Sequence, residues 1–260
     1  MKAIYYLLFI SNAYMNSHAI SQHHQVVSDV NLVEVSQQLL LAAKTKEPTD
    51  SMVNILHYIT PSDLIKQLNT DDLKKVFWIN IYNAFTQIIL SKNPNQYKDR
   101  GSFFGSKQII IAGREMSLDD IEHGLMRRSK IKWSEGYLNK LFPSKFEKQN
   151  RLSKLDYRMH FALNCGAKSC PPIAFYNPGQ IDKQLDMATK TYLKGDADYD
   201  SAKNRVEVPA LMGWFRHDFG GKRKMLSLLK SLQIVPNDAH PSIRFKKYDW
   251  NLFLSNYKSE

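Results

Sequence analysis

Apolar residues recur at helical spacing along most of this chain. From Val30 to Lys44, the residues Leu32, Val35, Leu39 and Ala42 or Ala43 fall on one face, which predicts an amphipathic helix. Met52 to Ile59 reads as a helix or an extended segment. Thr60 followed by Pro61 marks the start of a helix to Leu68, with the threonine as N-cap and proline in the first turn. Asp71 to Leu90 is the strongest helical segment. Thr70 caps it, Asn93-Pro94 ends it, and so few positions suit solvent that the helix should be central. Lys107–Ile111 and Arg114–Ser117, joined by Ala112-Gly113, predict a β-hairpin. Ser117, with Asp120 three residues on, opens a helix to Arg128 that carries Glu122 and His123.

The second half is more mixed. Trp133 to Phe142 is a looser region. Arg158 to Asn164 alternates as a strand does and runs into the loop Cys165–Pro172. A helix follows from Asn177-Pro178 to Leu193, then a strand at Arg205–Val208. Two helices come next, Ala210–Phe219 closed by Gly220-Gly221 and Met225–Leu232, and a last strand spans Ser242–Trp250. This order predicts an α+β fold: a helix-rich single domain around a small, mostly antiparallel sheet. No linker divides the chain after residue 45.

Composition narrows the classes. The chain has 260 residues, 43% of them hydrophobic and 23% charged, enough for one large core and unlike a disordered or fibrous chain. The N-terminus has the layout of an export signal: Lys2, an apolar run Ala3–Ile10 and the small-x-small site Ser17-His18-Ala19. That run is far shorter than the roughly 20 residues of a membrane-spanning helix. The expected division is a signal peptide at 1–19, a linker and helix at 20–44, and one domain at 45–255, with a periplasmic or secreted destination. A formal net charge of +11 favours attraction to anionic surfaces. The basic clusters Arg127-Arg128, Lys222-Arg223-Lys224 and Lys246-Lys247 are short and lack the aromatic interleaving of a nucleic-acid motif, so no specific nucleic acid is expected.

The candidate chemistry lies in His160–Pro172. Both cysteines, Cys165 and Cys170, are there, where an apolar segment meets a Gly/Ser/Pro turn. Such a junction holds a nucleophile rigid and reachable, and it suits a small structural disulfide equally well; in an exported protein either state is open. A thiol needs its pKa lowered to act as a nucleophile, and turn amides around Cys165, with Lys168 nearby, would do so. His123, on another element, is the candidate base. Strict alternation turns His160 away from Cys165. Glu122 points about 100° away from His123 on a helix, which leaves it free to bind the cysteine loop. Asn80 and Asn83, three apart on a buried face, must be hydrogen-bonded; they brace the loop or, in the case of Asn83, supply an oxyanion donor. Asp218 either orients a histidine or pairs with Arg216 at the surface, and the surface pair is the favoured reading. Ser169 lies within the loop. No zinc-finger spacing, phosphate-cradling loop or dinucleotide fingerprint is present, so neither metal nor cofactor is expected.

Three segments resemble the domain-of-unknown-function 547 family. They are Phe77-Trp78-Ile79-Asn80-Ile81-Tyr82-Asn83-Ala84, then Ile121-Glu122-His123, then Phe161–Gly166 through Ser169-Cys170-Pro171-Pro172; the tail Tyr248-Asp249-Trp250 looks like the family's end. The resemblance spans about residues 45 to 255. It implies a Cys, a His and a Glu at matched positions, with Cys165, Glu122 and His123 ahead of His160 and Cys170, and by analogy a papain-like or transglutaminase-like site. The resulting expectation is an exported cysteine-dependent hydrolase or acyl/amide transferase acting on a peptide, amide or cell-envelope substrate. The alternative is a non-catalytic binding or scaffold module whose cysteine loop is a structural corner.

Overall fold

The computed structural model describes residues 30–258. The expected signal peptide at 1–19, and the linker as far as residue 29, lie outside the described residues. Helix α1 (Leu32–Thr45) starts at Asn31, whose side chain accepts from the amides of Val33 and Glu34. Helices α2 (Asp50–Tyr58) and α3 (Pro61–Gln67) follow, and Thr60 caps α3 by accepting from Asp63 N. Helix α4 (Asp71–Lys92) is the axis of the molecule. Val76 to Ala84 are buried without a break, so the helix is covered on all sides rather than along one stripe. Helix α1 packs along it through Leu32, Val35, Leu39 and Leu40, all at most 2% exposed, and so belongs to the same core as the region after residue 45.

After the short helix α5 (Arg100–Gly105), strands β1 (Ile109–Ile111) and β2 (Arg114–Met116) pair as the expected hairpin. Ala112 and Gly113 both have positive φ, 53° and 67°, as a tight two-residue turn requires. Ser117 and Asp120 then form the expected reciprocal cap: Ser117 Oγ accepts from Asp120 N at 3.1 Å, and Asp120 Oδ2 accepts from Ser117 N at 2.7 Å. The segment they start, Asp120–Met126, is a π-helix and not the α-helix that the spacing predicts. Arg127 N donates to Glu122 O and Ser129 N to Gly124 O, both five residues back. Such wide turns redirect side chains and recur at functional sites.

Helix α6 (Lys145–Asn150) leads to Tyr157–Phe161. Here the expected strand is a 3₁₀ turn, started by Asp156, which accepts from Arg158 N. The alternation misleads because His160 to Asn164 are all buried, polar and apolar alike, so period two reports no solvent face. Helix α7 (Ile181–Asp196) carries the chain to a three-stranded sheet. In it β3 (Asp198–Asp200) pairs antiparallel with β4 (Arg205–Val208). Helices α8 (Ala210–Trp214) and α9 (Gly221–Ser231) then cross over to β5 (Ser242–Phe245), parallel to β4. The fold is helix-rich α+β with two small sheets. A second apolar cluster, including Leu193, Val206, Val208, Met212 and Phe219, fills the space between this sheet and its helices, and Phe161 belongs to it. The segment that carries the cysteines therefore runs along the seam between the two clusters.

Candidate functional site

The cysteine loop is set from below by two asparagines. Asn83, fully buried on α4, donates from Nδ2 to Ala162 O at 2.9 Å and accepts from Asn164 N at 2.8 Å. Asn164 donates to Pro171 O at 2.8 Å and accepts from Gly166 N at 2.9 Å, which closes the loop across its neck. Gly166 has φ +85°, a backbone conformation that favours glycine, and a Cβ there would push on Leu90 Cδ1 at 2.9 Å. From above, the C-terminal segment straps the loop. Phe253 N donates to Gly166 O, Lys168 N to Asn251 O, and Asp249 N to Ser169 Oγ. The Lys168 side chain is exposed and reaches Asp249 only at 3.9 Å. Asn80 serves another partner, donating to Ser36 Oγ on α1 at 3.3 Å.

Cys165 and Cys170 are joined as a disulfide. The amides of Cys165 and Ala167 lie 3.0 and 3.3 Å from the Cys170 sulfur, so the turn donors expected around Cys165 converge on Cys170. Tyr248 Oη is 3.3 Å from the Cys165 sulfur and 3.1 Å from that of Cys170. Burial pushes the Tyr248 phenol far up, so it remains a donor. Cys170 is 3% exposed, whereas Cys165 lines a cleft of about 590 Å³.

Asp119, Glu122, His123 and His160 also line that cleft, and behind the two histidines the fully buried side chains of Arg127 and Asp218 complete a chain of ionisable groups. His160 Nε2 is 3.0 Å from Asp218 Oδ2, which also accepts from Arg127 Nε at 2.6 Å. Arg127 Nη1 lies 2.9 Å from His123 Nδ1, and His123 Nε2 faces Asp119 Oδ1 at 3.4 Å. A guanidinium only donates, so His123 Nδ1 is the acceptor and its proton is on Nε2. Burial raises the Asp218 carboxyl, but His160 and Arg127 outweigh it and hold it below the usual carboxylate range. Burial lowers the His160 imidazole against the pull of Asp218, and the net direction is down. A neutral His160 therefore donates through Nε2 to an ionised Asp218. Its ring stacks on Phe215 at 4.0 Å. The carboxylate of Glu122 accepts from Tyr82 Oη at 3.2 Å and stays 3.8 Å from His123 Nδ1. Trp214, Tyr248 and Trp250 form an aromatic wall, the two indoles stacked at 5.4 Å.

The structure thus brings Cys165, His123, His160 and Glu122 to one cleft and places Asn83 and Ser169 as braces of the cysteine loop, whereas Asn80, expected to brace it too, bonds to Ser36 on α1 instead. His160 does not turn away from Cys165's cleft, because the segment is a turn and not a strand. Among the described residues, the hydrogen-bonding partner of the Cys165 sulfur is Tyr248 and not an imidazole. Asp218 is a buried partner of Arg127 and His160; Arg216 instead approaches Glu135 at 3.5 Å. The sequence offers Arg127 only as half of a short basic cluster; its place four residues after His123, amid Leu125 and Met126, is the one signal that could have marked it. No group of three or more metal-ligating side chains occurs among the described residues, and no helix among them is long and apolar enough to cross a membrane.

Fold and cleft define a class, helix-rich α+β proteins with a cysteine pair facing a histidine–carboxylate chain. Residues 65–193 match the model of a family described as protein of unknown function, DUF547, which identifies that stretch as a domain of this family. The matched stretch carries Asn83, Glu122, His123, His160 and both cysteines, while Asp218 and Tyr248 lie beyond it. No curated protein and no solved structure matches the chain.

Proposed function

We propose that this protein is an exported, cysteine-dependent hydrolase or acyl/amide transferase, with Cys165 as nucleophile and His160–Asp218 as the base pair. The observation that carries this reading is the shared cleft: Cys165, the histidines and Glu122 all line it. His160 replaces His123 as the base because Asp218 orients it, whereas the Nδ1 lone pair of His123 is taken by Arg127.

In this reading the disulfide is a resting state, as befits a protein outside the cytosol. Two thiols reduce it, forming their own disulfide and leaving Cys165 and Cys170 as thiols. Cys170 departs as a thiolate stabilised by two amides and Tyr248. Cys165 then passes its proton to His160, attacks the substrate carbonyl carbon and forms a thioester. The leaving amine or alkoxide takes the proton back from the imidazolium, and water or a second nucleophile resolves the thioester. The aromatic wall suits a peptide, amide or cell-envelope substrate with a flat or apolar group.

Alkylation tests this reading. After mild reduction of the full chain, iodoacetamide at neutral pH should modify Cys165 quickly, and His160→Ala should slow it more than His123→Ala. A reduced Cys165 that alkylates no faster than a free thiol, and equally in both variants, sinks the enzyme reading. The alternative, a scaffold or binding module, draws its support from the disulfide and the strap across it; it gains if reduction merely loosens the loop.

A further inference from the structure

Five of the ten exposed large apolar side chains among the described residues fall in one run of ten residues. They are Trp133 (76% exposed), Tyr137, Leu138, Leu141 (86%) and Phe142 (94%). Single exposed apolar residues are ordinary, but this concentration is not. The run is also well held. Ile131 N donates to Leu138 O and Lys140 N to Ser129 O, so its two arms pair. Ser134 Oγ bridges the turn to Ile131 O at 2.8 Å, and His217 N donates to Glu135 O. The backbone is thus held from residue 129 to residue 140, and Leu141 and Phe142 follow directly on that held segment.

Charge selects the occupant. Residues 128–148 carry six basic side chains against two acidic ones, and Glu147 is engaged by Lys140 at 3.2 Å. Arg128, Lys132, Lys145 and Lys148 are exposed in the same stretch of chain, Lys132 with its ammonium 2.7 Å from Asp119 Oδ2. Exposed aromatic and aliphatic side chains interspersed with basic ones suit an interface where the apolar groups enter the acyl boundary and the cations meet phosphates. We propose that this loop docks the protein on an anionic lipid surface. Lys132, Trp133 and Glu135 also line the cleft, so docking brings that part of its lining to the headgroup layer. The inference stands on exposure and charge and is independent of the cysteine chemistry.

Sedimentation with lipid vesicles tests it, using the full chain and either phosphatidylcholine alone or phosphatidylcholine mixed with phosphatidylglycerol. The chain should partition onto the mixed vesicles and much less onto the neutral ones. Leu141→Ser/Phe142→Ser, with unchanged circular dichroism, should weaken that partition about tenfold or more. Tryptophan emission should shift to the blue on binding, and less so in Trp133→Ser. The proposal is overturned if the chain ignores the mixed vesicles, or if the double variant binds as tightly as the parent, which would leave charge alone. It is equally overturned if ultracentrifugation shows a self-associating parent and a monomeric double variant, since the tips would then cover a second copy.

Discussion

The two walls of the cleft are built in opposite ways. On the cysteine side, Asn83, Asn164 and the C-terminal strap answer the loop's backbone groups one by one, with short bonds and no charge. On the other side, Arg127 and Asp218 are buried as ions, and two of their atoms, Arg127 Nη2 and Asp218 Oδ1, have no hydrogen-bond partner among the described residues. A satisfied neutral network makes a rigid corner. A buried ion pair contributes little net stability, because desolvation offsets its attraction, so its presence points to a task other than holding the fold. Rigidity on one wall and retained charge on the other is the division expected of a site that positions one group and tunes another.

The largest effect should come from breaking the charged wall. Arg127→Met leaves Asp218 buried and ionised, and should destabilise the protein by about 3–5 kcal/mol in urea unfolding. Arg127→Met combined with Asp218→Leu should recover a good part of that loss. If the single variant loses less than about 1 kcal/mol, the pair is not the buried ion pair described.

Gly136 comes next. Its φ is +90°, and a Cβ there would lie 2.2 Å from Asp218 Oδ1 and 3.2 Å from Arg127 Nη2, the two atoms without partners. Gly136→Ala should lower stability by at least about 2 kcal/mol, from the left-handed backbone and the displaced carboxylate together. Gly113→Ala is the control: φ is +67° but nothing lies within 4 Å of its Cβ, so only the backbone term, about 1 kcal/mol, applies. Equal shifts in melting temperature for the two would mean that the loop at Gly136 gives way.

The neutral wall should yield smaller numbers. Asn83→Leu removes two bonds to the loop backbone at a fully buried position and should lose about 1–3 kcal/mol in chemical denaturation. Asn80→Leu removes one 3.3 Å bond, and Asn80 Oδ1 has no partner among the described residues, so its loss should be the smaller. A reversed order would break the assignment of Asn83 to the loop.

The same contrast explains what was legible in the sequence. The helices around α4, their caps at Thr60, Thr70 and Ser117, and the Ala112-Gly113 turn follow from local rules, and they appear where those rules put them. Asn83 was legible as a brace because a buried amide must find partners. The charged wall was not, since Arg127 and Asp218 are 91 residues apart and look like surface residues until the fold buries them. The π-helix escaped because its first cap is that of an α-helix. The 3₁₀ turn at Tyr157–Phe161 escaped because a segment buried on every side leaves alternation without meaning.

The smallest expected effect is the dependence on pH, and both titrating groups of the charged wall push it the same way. Asp218 titrates lower in the fold than its ordinary 3.8, so its contribution is full above that value and is lost as pH falls through the lower, folded value. His160 titrates below its ordinary 6.5 in the fold. As pH drops past 6.5 the unfolded chain takes up a proton that the native imidazole refuses, and the balance moves toward unfolding. Melting temperature should therefore fall from about pH 6.5 downward. In His160→Asn that first decline should flatten while the steeper acid loss near pH 4 and below remains, because Asp218 keeps Arg127. A decline between pH 6.5 and 5 that is unchanged in the variant would show that the proton uptake belongs to another group and that His160 is not the buried, neutral partner of Asp218.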